Sequence, residues 1–181
     1  DSTVRRWDAG NGVWEDASDI GAGTTRLAGG LLSVSGGKVL YDGQVVLSPP
    51  ERGGYQSFYY ALGHLFFYHV DRAGQSAYAP YESDDKGFSK LYACPWLPGD
   101  AAVDPSKAVI STLPVVGEVP FSYGQLGDKV LTCSNIGGLY EFDGKGFRTI
   151  REPTIGESFQ VYSMLNYYDK LLLGQYPTGM L

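Results

Sequence analysis

The sequence predicts an all-β chain built from repeated four-stranded antiparallel units. Three observations carry this. Turn pairs such as Asp42-Gly43 and Asp143-Gly144 stand between alternating apolar runs, the strongest short-range hairpin signal. The runs themselves are rich in Tyr, Phe, Val and Leu, residues that fill a pleated and half-buried surface. Two kinds of hairpin recur in the same order along the 181 residues.

The first hairpin is "RRWDAGNGVW", Arg5 to Trp14. It reads as the last two strands, c and d, of a half unit over residues 1–20. A full unit follows at 24–48, with "RLAGGLLSVSG" as strands a and b and "KVLYDGQVVL" as c and d. Its c–d turn is Asp42-Gly43, where a type I′ turn needs positive φ at both residues. The unit at 55–113 opens on "FYYALGHLFFYHV", with Gly63-His64 at the turn. Its strand c is Lys90 to Cys94 and its strand d is "KAVISTL", Lys107 to Leu113. The unit at 119–150 pairs "FSYGQLGDKVLTCSN", turning at Gly127-Asp128, with "LYEFDGKGFRTI". In that last run Tyr140 and Phe142 alternate with Glu141 and Asp143, the pattern of a strand with one face in water. A half unit at 159–181 supplies "VYSMLNYYDKLLLGQY", turning at Tyr168-Asp169. Tyr41 and Phe142 are equivalent and two units apart, so a unit takes about 50 residues.

Composition narrows the function. Hydrophobic residues are 43%, with 25 Gly and 14 Tyr, as in a globular chain of many short strands. The net charge of −6 and the scattering of the 14 basic residues argue against nucleic-acid binding. No apolar run approaches the roughly 18 residues of a membrane-spanning helix. Cys94 and Cys133 read as small buried hydrophobes, with a disulfide as the alternative. The compartment stays open, a secreted or periplasmic one included. No cofactor motif is present: the chain has neither a phosphate loop nor a nucleophile elbow. His64 reads as turn chemistry and His69 as a core residue. Neither has metal-ligand neighbours.

Four-stranded antiparallel units at this period resemble the blades of a β-propeller. The pair Gly137-Gly138 before strand c, and the aromatic in strand d, make the blades loosely kelch-like, although the usual order of glycine pair, Tyr and Trp is not kept. The resemblance implies one propeller domain of three complete blades and two half blades. It also implies that "LFFYHV" and "KLLLGQY" are buried on both faces. The final "PTGML" aligns with "NIGGL" ending at Leu139, so the sequence stops where a strand c is due. Either the terminal half blades join into a four-bladed ring, or the chain is part of a larger ring completed by a complementary chain. The second is the expectation.

In a propeller the d–a and b–c loops open on one face, and that face commonly binds ligands. The loops "SPPERGGYQS" and "REPTIGESFQ" place Glu51, Arg52, Tyr55, Gln56, Arg151, Glu152 and Glu157 there. Arginine suits a carboxylate or phosphate. The long b–c segment Asp71 to Ser89 adds Tyr78 and Tyr81 for stacking, and Asp84 and Asp85 as oxygen ligands off the EF-hand spacing. Two functions fit: a binding or scaffold module for a protein or glycan, or part of a propeller enzyme acting on carbohydrate with Glu51, Glu152 or Glu157 as acid and base.

Overall fold

The computed structural model describes residues 5–8, 13–16, 25–27, 30–35, 37–48, 55–70, 87–154, 160–167, 169–176 and 179–180. These are strands and tight connections, with no α-helix among the described residues. The chain divides into two compact units, residues 1–48 with 98–102, and residues 49–97 with 103–181.

The first unit holds two sheets. Strands β1 (Arg5–Asp8) and β2 (Val13–Asp16) pair antiparallel, with Trp7 opposite Trp14. Strands β3 (Thr25–Leu27), β4 (Gly30–Ser35), β5 (Lys38–Tyr41) and β6 (Gln44–Leu47) form a four-stranded sheet in chain order. The turn between β5 and β6 is the expected type I′, with φ of 48° at Asp42 and 79° at Gly43. Asp42 also reaches across the sheet: its Oδ1 accepts from the Leu31 amide at 2.8 Å, while its own amide donates to Leu31 O at 3.0 Å. Leu32, Val39, Val46 and Leu47 are buried.

The second unit holds three sheets. Strands β7 (Tyr55–Ala61), β8 (His64–Val70), β9 (Ser89–Pro95) and β10 (Val109–Thr112) make the first. Strands β11 (Pro120–Leu126), β12 (Lys129–Ser134), β13 (Leu139–Phe142) and β14 (Phe147–Arg151) make the second. Strands β15 (Gln160–Tyr167), β16 (Lys170–Tyr176) and β17 (Gly179–Met180) make the third. Every pairing is antiparallel and between consecutive strands.

The core lies between the sheets. Leu65, Phe66, Phe67 and Tyr68 are all buried, so β8 is covered on both faces, as its apolar run implies. The Phe66 and Phe142 rings meet edge to face at 5.2 Å, and Tyr59 stacks on Tyr123 at 5.8 Å. Each buried phenylalanine contributes about 2–3 kcal/mol through burial alone. Strand β11 lies beside both β7 and β15. At its outer seam Ser122 Oγ donates to Val161 O at 2.7 Å. A Cβ on Gly124 would come within 2.7 Å of Leu171 and 2.8 Å of Met164, so the third sheet sits directly on that backbone. In the second unit each sheet's first strand carries an irregularity near its start: at 56–59, where Ser57 has a φ of 53°, at 120–122, and at 161–163.

Several expectations are corrected. The turn before β8 is Leu62-Gly63, with φ of 52° and 71°, and His64 begins the strand. Strand β10 starts later than expected because Asp104 caps a 3-10 turn over Pro105–Lys107, accepting from the Ser106 amide at 3.0 Å. The β13–β14 connection is a four-residue loop: Asp143 Oδ1 accepts from the amides of Lys145 at 2.9 Å and Gly146 at 3.0 Å, while Phe142 pairs with Phe147. Glu141 is not on a wet face. It is 7% exposed and takes Lys129 Nζ at 3.2 Å and Arg148 Nη2 at 2.6 Å on one oxygen. His69 is half-buried, its ring edge against Tyr55. The turn residue Tyr168 lies outside the described residues.

Candidate functional site

In the first two sheets of the second unit, the start of each odd strand and the end of each even strand share one end. There the sheets are tied together. Leu113 N donates to Ser89 O at 2.8 Å, and Gly117 N to Gly87 O at 3.2 Å. These bonds hold the link from β10 to β11 against the entry into β9. Asn135, just past β12, closes the same link from the other side: its Oδ1 accepts from Val119 N at 2.9 Å, and its Nδ2 donates to Gly117 O at 3.2 Å.

At the centre is Glu118, fully buried. Its Oε1 accepts from the Tyr140 hydroxyl at 2.6 Å, and its main-chain oxygen accepts from Ser89 Oγ. Gly138 lies against this pair. A Cβ there would run into Glu118 Oε1 and stand 2.6 Å from the Tyr140 oxygen and 2.9 Å from Ser134 Oγ. Ser134 Oγ accepts from Gly138 N at 3.0 Å. Close approach therefore requires glycine at 138, and the positive φ of 78° favours it at Gly137. Burial, reinforced by the bond to Glu118, pushes the Tyr140 hydroxyl far above the usual phenol range. The phenol stays a donor, and the cluster works as a fixed post beneath the loops.

Four of the expected site residues are described. Arg151 ends β14 and turns back, Nη1 donating to Gly137 O at 2.8 Å, so it braces the β12–β13 loop. Glu152 beside it is exposed. Gln56 Oε1 accepts from the Tyr68 hydroxyl at 2.6 Å, and Tyr68 shares a buried cluster with Leu91, Leu113, Val119 and Tyr140. Gln56, Arg151 and Glu152 thus flank one cluster. Tyr55 packs elsewhere, on the opposite face of its sheet, against Phe67 at 4.4 Å and Tyr92 at 5.9 Å. Burial raises its phenol, with the neighbouring Tyr92 and Cys94 adding to the effect. Glu51, Arg52, Tyr78, Tyr81, Asp84, Asp85 and Glu157 lie outside the described residues.

Sequence reasoning missed Glu118, Ser89, Ser134 and Asn135. One signal was there: Glu118 is a single charge inside the otherwise apolar run from Val115 to Phe121. Two exposed apolar side chains were missed as well. Phe88, 48% exposed, follows Gly87, and Val116, 45% exposed, precedes Gly117. Each stands one residue from the bond joining the two loops.

Among the described residues no cluster of His, Cys, Asp or Glu is arranged to hold a metal ion. Cys94 and Cys133 are free and buried, and burial pushes the Cys94 thiol up to about 12. No protein-family model matches the chain, and no curated protein matches it.

Proposed function

We propose that the chain is a binding or scaffold module, a kelch-like β-propeller that presents its loop end to a protein or glycan. The order of the sheets supports the propeller reading. Each four-stranded sheet is laid down strand by strand, and the first strand of the middle sheet lies between the first strands of its neighbours. Sheets set around an axis have this relation.

Binding is favoured over catalysis by how the polar groups are spent. Glu118 has no exposed surface with which to meet a sugar; Tyr140 engages its Oε1, and its Oε2 is buried without a hydrogen-bond partner. Arg151 is engaged with the backbone of its own sheet. The observation that carries the reading is the loop end itself: a connection pinned from two sides that still exposes Phe88 and Val116. Such preorganisation lowers the entropy lost on association.

The test is a ligand screen with the whole chain against immobilised glycans and displayed peptides. Phe88→Ser at the loop end is compared with Asp128→Ala at the far end. A ligand sensitive to the first variant and indifferent to the second supports the reading. Sensitivity only to the second, or no ligand at all, overturns it.

A further inference from the structure

We infer that Asp143 is a site of covalent self-modification, rearranging to isoaspartate and loosening strand β14, while Asp42, in the same Asp-Gly pairing, is protected by the fold. The step is intramolecular. The Gly144 amide nitrogen attacks Asp143 Cγ and an N–C bond forms. The hydroxyl of the carboxyl leaves as water with the proton of that nitrogen. Water then reopens the five-membered imide at either carbonyl. Opening at the main-chain carbonyl leaves the backbone running through the former side chain. Water is the only co-reactant, lost in the first half and regained in the second.

Both Asp-Gly pairs are exposed in turns, so access does not separate them. Direction does. Asp42 Oδ1 accepts from Leu31 N on β4 at 2.8 Å, and Asp42 N donates to Leu31 O at 3.0 Å. That carboxyl is held sideways on the neighbouring strand. Asp143 Oδ1 instead accepts from Lys145 N at 2.9 Å and Gly146 N at 3.0 Å. This carboxyl is drawn forward along the chain, over the peptide that carries the Gly144 nitrogen. Two donors on one oxygen also polarise Cγ towards attack. Gly144 offers no hindrance, since even a Cβ there would meet nothing within 4 Å. Holding the reacting groups together is what makes an intramolecular step fast.

The product alters the loop. Asp143 N donates to Gly146 O at 3.3 Å, and Phe142 pairs with Phe147 on either side. Isoaspartate adds one main-chain carbon inside that closure and takes away the acceptor of two amides. β14 is the outer strand of its sheet and carries Arg148, which holds Glu141. Its attachment is what slackens.

The experiment incubates the whole chain in mildly acidic buffer, which supplies the protonated carboxyl the step needs, once native and once in guanidinium. Tryptic peptides are followed by mass spectrometry with electron-transfer fragmentation, which tells isoaspartate from aspartate. Asp42, Asp143 and the Asn11-Gly12 pair, which forms isoaspartate of its own, fall in separate peptides. Unfolded, Asp42 and Asp143 should convert at similar rates. Native, Asp143 should convert several times faster than Asp42, and the aged protein should melt at a lower temperature. Equal native rates, a faster Asp42, or protection of both overturns the inference. Asp143→Ser keeps an acceptor for the two amides but has no carboxyl to attack. It should hold its melting temperature through the same incubation, and a fall as large as the parent's overturns the inference as well.

Discussion

The Tyr140 hydroxyl donates to Glu118 Oε1 at 2.6 Å, joining strand β13 to the link that enters β11. Tyr140→Phe leaves a fully buried carboxylate oxygen without its donor. An unmade bond to a buried acceptor costs about 1–3 kcal/mol. Guanidinium unfolding should show that loss with little change in slope, and an unchanged midpoint would remove the post from the structural account.

Gly138→Ala should cost more than the tyrosine change. Its methyl would meet Glu118 Oε1 and stand 2.6 Å from the Tyr140 oxygen, both inside the core. Overpacking of this kind costs about 1–3 kcal/mol or more. In a Tyr140→Phe background one of those obstacles is gone, so the two losses should sum to more than the double variant shows. Strict additivity in the cycle would refute the close approach.

Leu62 offers the opposite sign. It holds a φ of 52° in a two-residue turn, where asparagine is far easier to accommodate. A left-handed backbone costs an ordinary L-residue about 1–2 kcal/mol. It is 37% exposed, so the partial burial lost on replacement offsets part of that gain. Leu62→Asn should raise the melting temperature, by about 0.5–1 kcal/mol of stability. A lower melting temperature would mean that the leucine packs more than its exposure implies.

Acid should act on two carboxylates of the middle sheet. The Arg148 hydrogen bond, with help from Lys129, holds the Glu141 carboxyl below its ordinary range. Backbone donation from Lys145 and Gly146 does the same for Asp143. A carboxyl depressed by folding adds stability above its unfolded pKa and loses it as pH falls through the folded value. Stability should therefore drop below about pH 4, where unfolded carboxylates titrate. In Glu141→Gln the acid drop should shrink while stability at pH 7 falls. An identical pH profile for parent and variant would exclude this pair of contacts as a source.

Cys94 and Cys133 should resist alkylation. Both are buried and free, and the Cys94 thiol lies near 12, so almost no thiolate is present at pH 8. Iodoacetamide should label neither in the native protein and both in guanidinium, as read by intact mass. Native labelling within minutes would place a thiol at the surface.

Strand positions were legible because hairpin chemistry is local. Asp42-Gly43 needs nothing beyond its neighbours to turn, and the run from Leu65 to Tyr68 declares burial on both sides by itself. The Asp143 loop was misread because an aspartate side chain bonding two amides ahead looks the same in sequence as one in a two-residue turn. Glu141 was misread because alternation says which way a residue points, not what covers it; here Lys129 and Arg148 lie over it. The post at Glu118 was invisible for a different reason. Ser89 and Tyr140 bond Glu118 itself, Asn135 bonds the flanking Val119 and Gly117, and only the pairing of separate hairpins brings these together. Arg151 was found, but its use on Gly137 was not, since an arginine near a loop reads the same whether it grips a ligand or its own backbone.

Gly124 turns one missing carbon into a gauge. With Leu171 and Met164 pressed on its backbone, the gap between middle and last sheets is set to the width of bare main chain. Even an alanine would wedge that seam open and drag on the nearby tether from Ser122 to Val161. Drift in this sequence should therefore be slowest where the residue is smallest, and a survey of variants should find Gly124 less replaceable than the large leucine facing it.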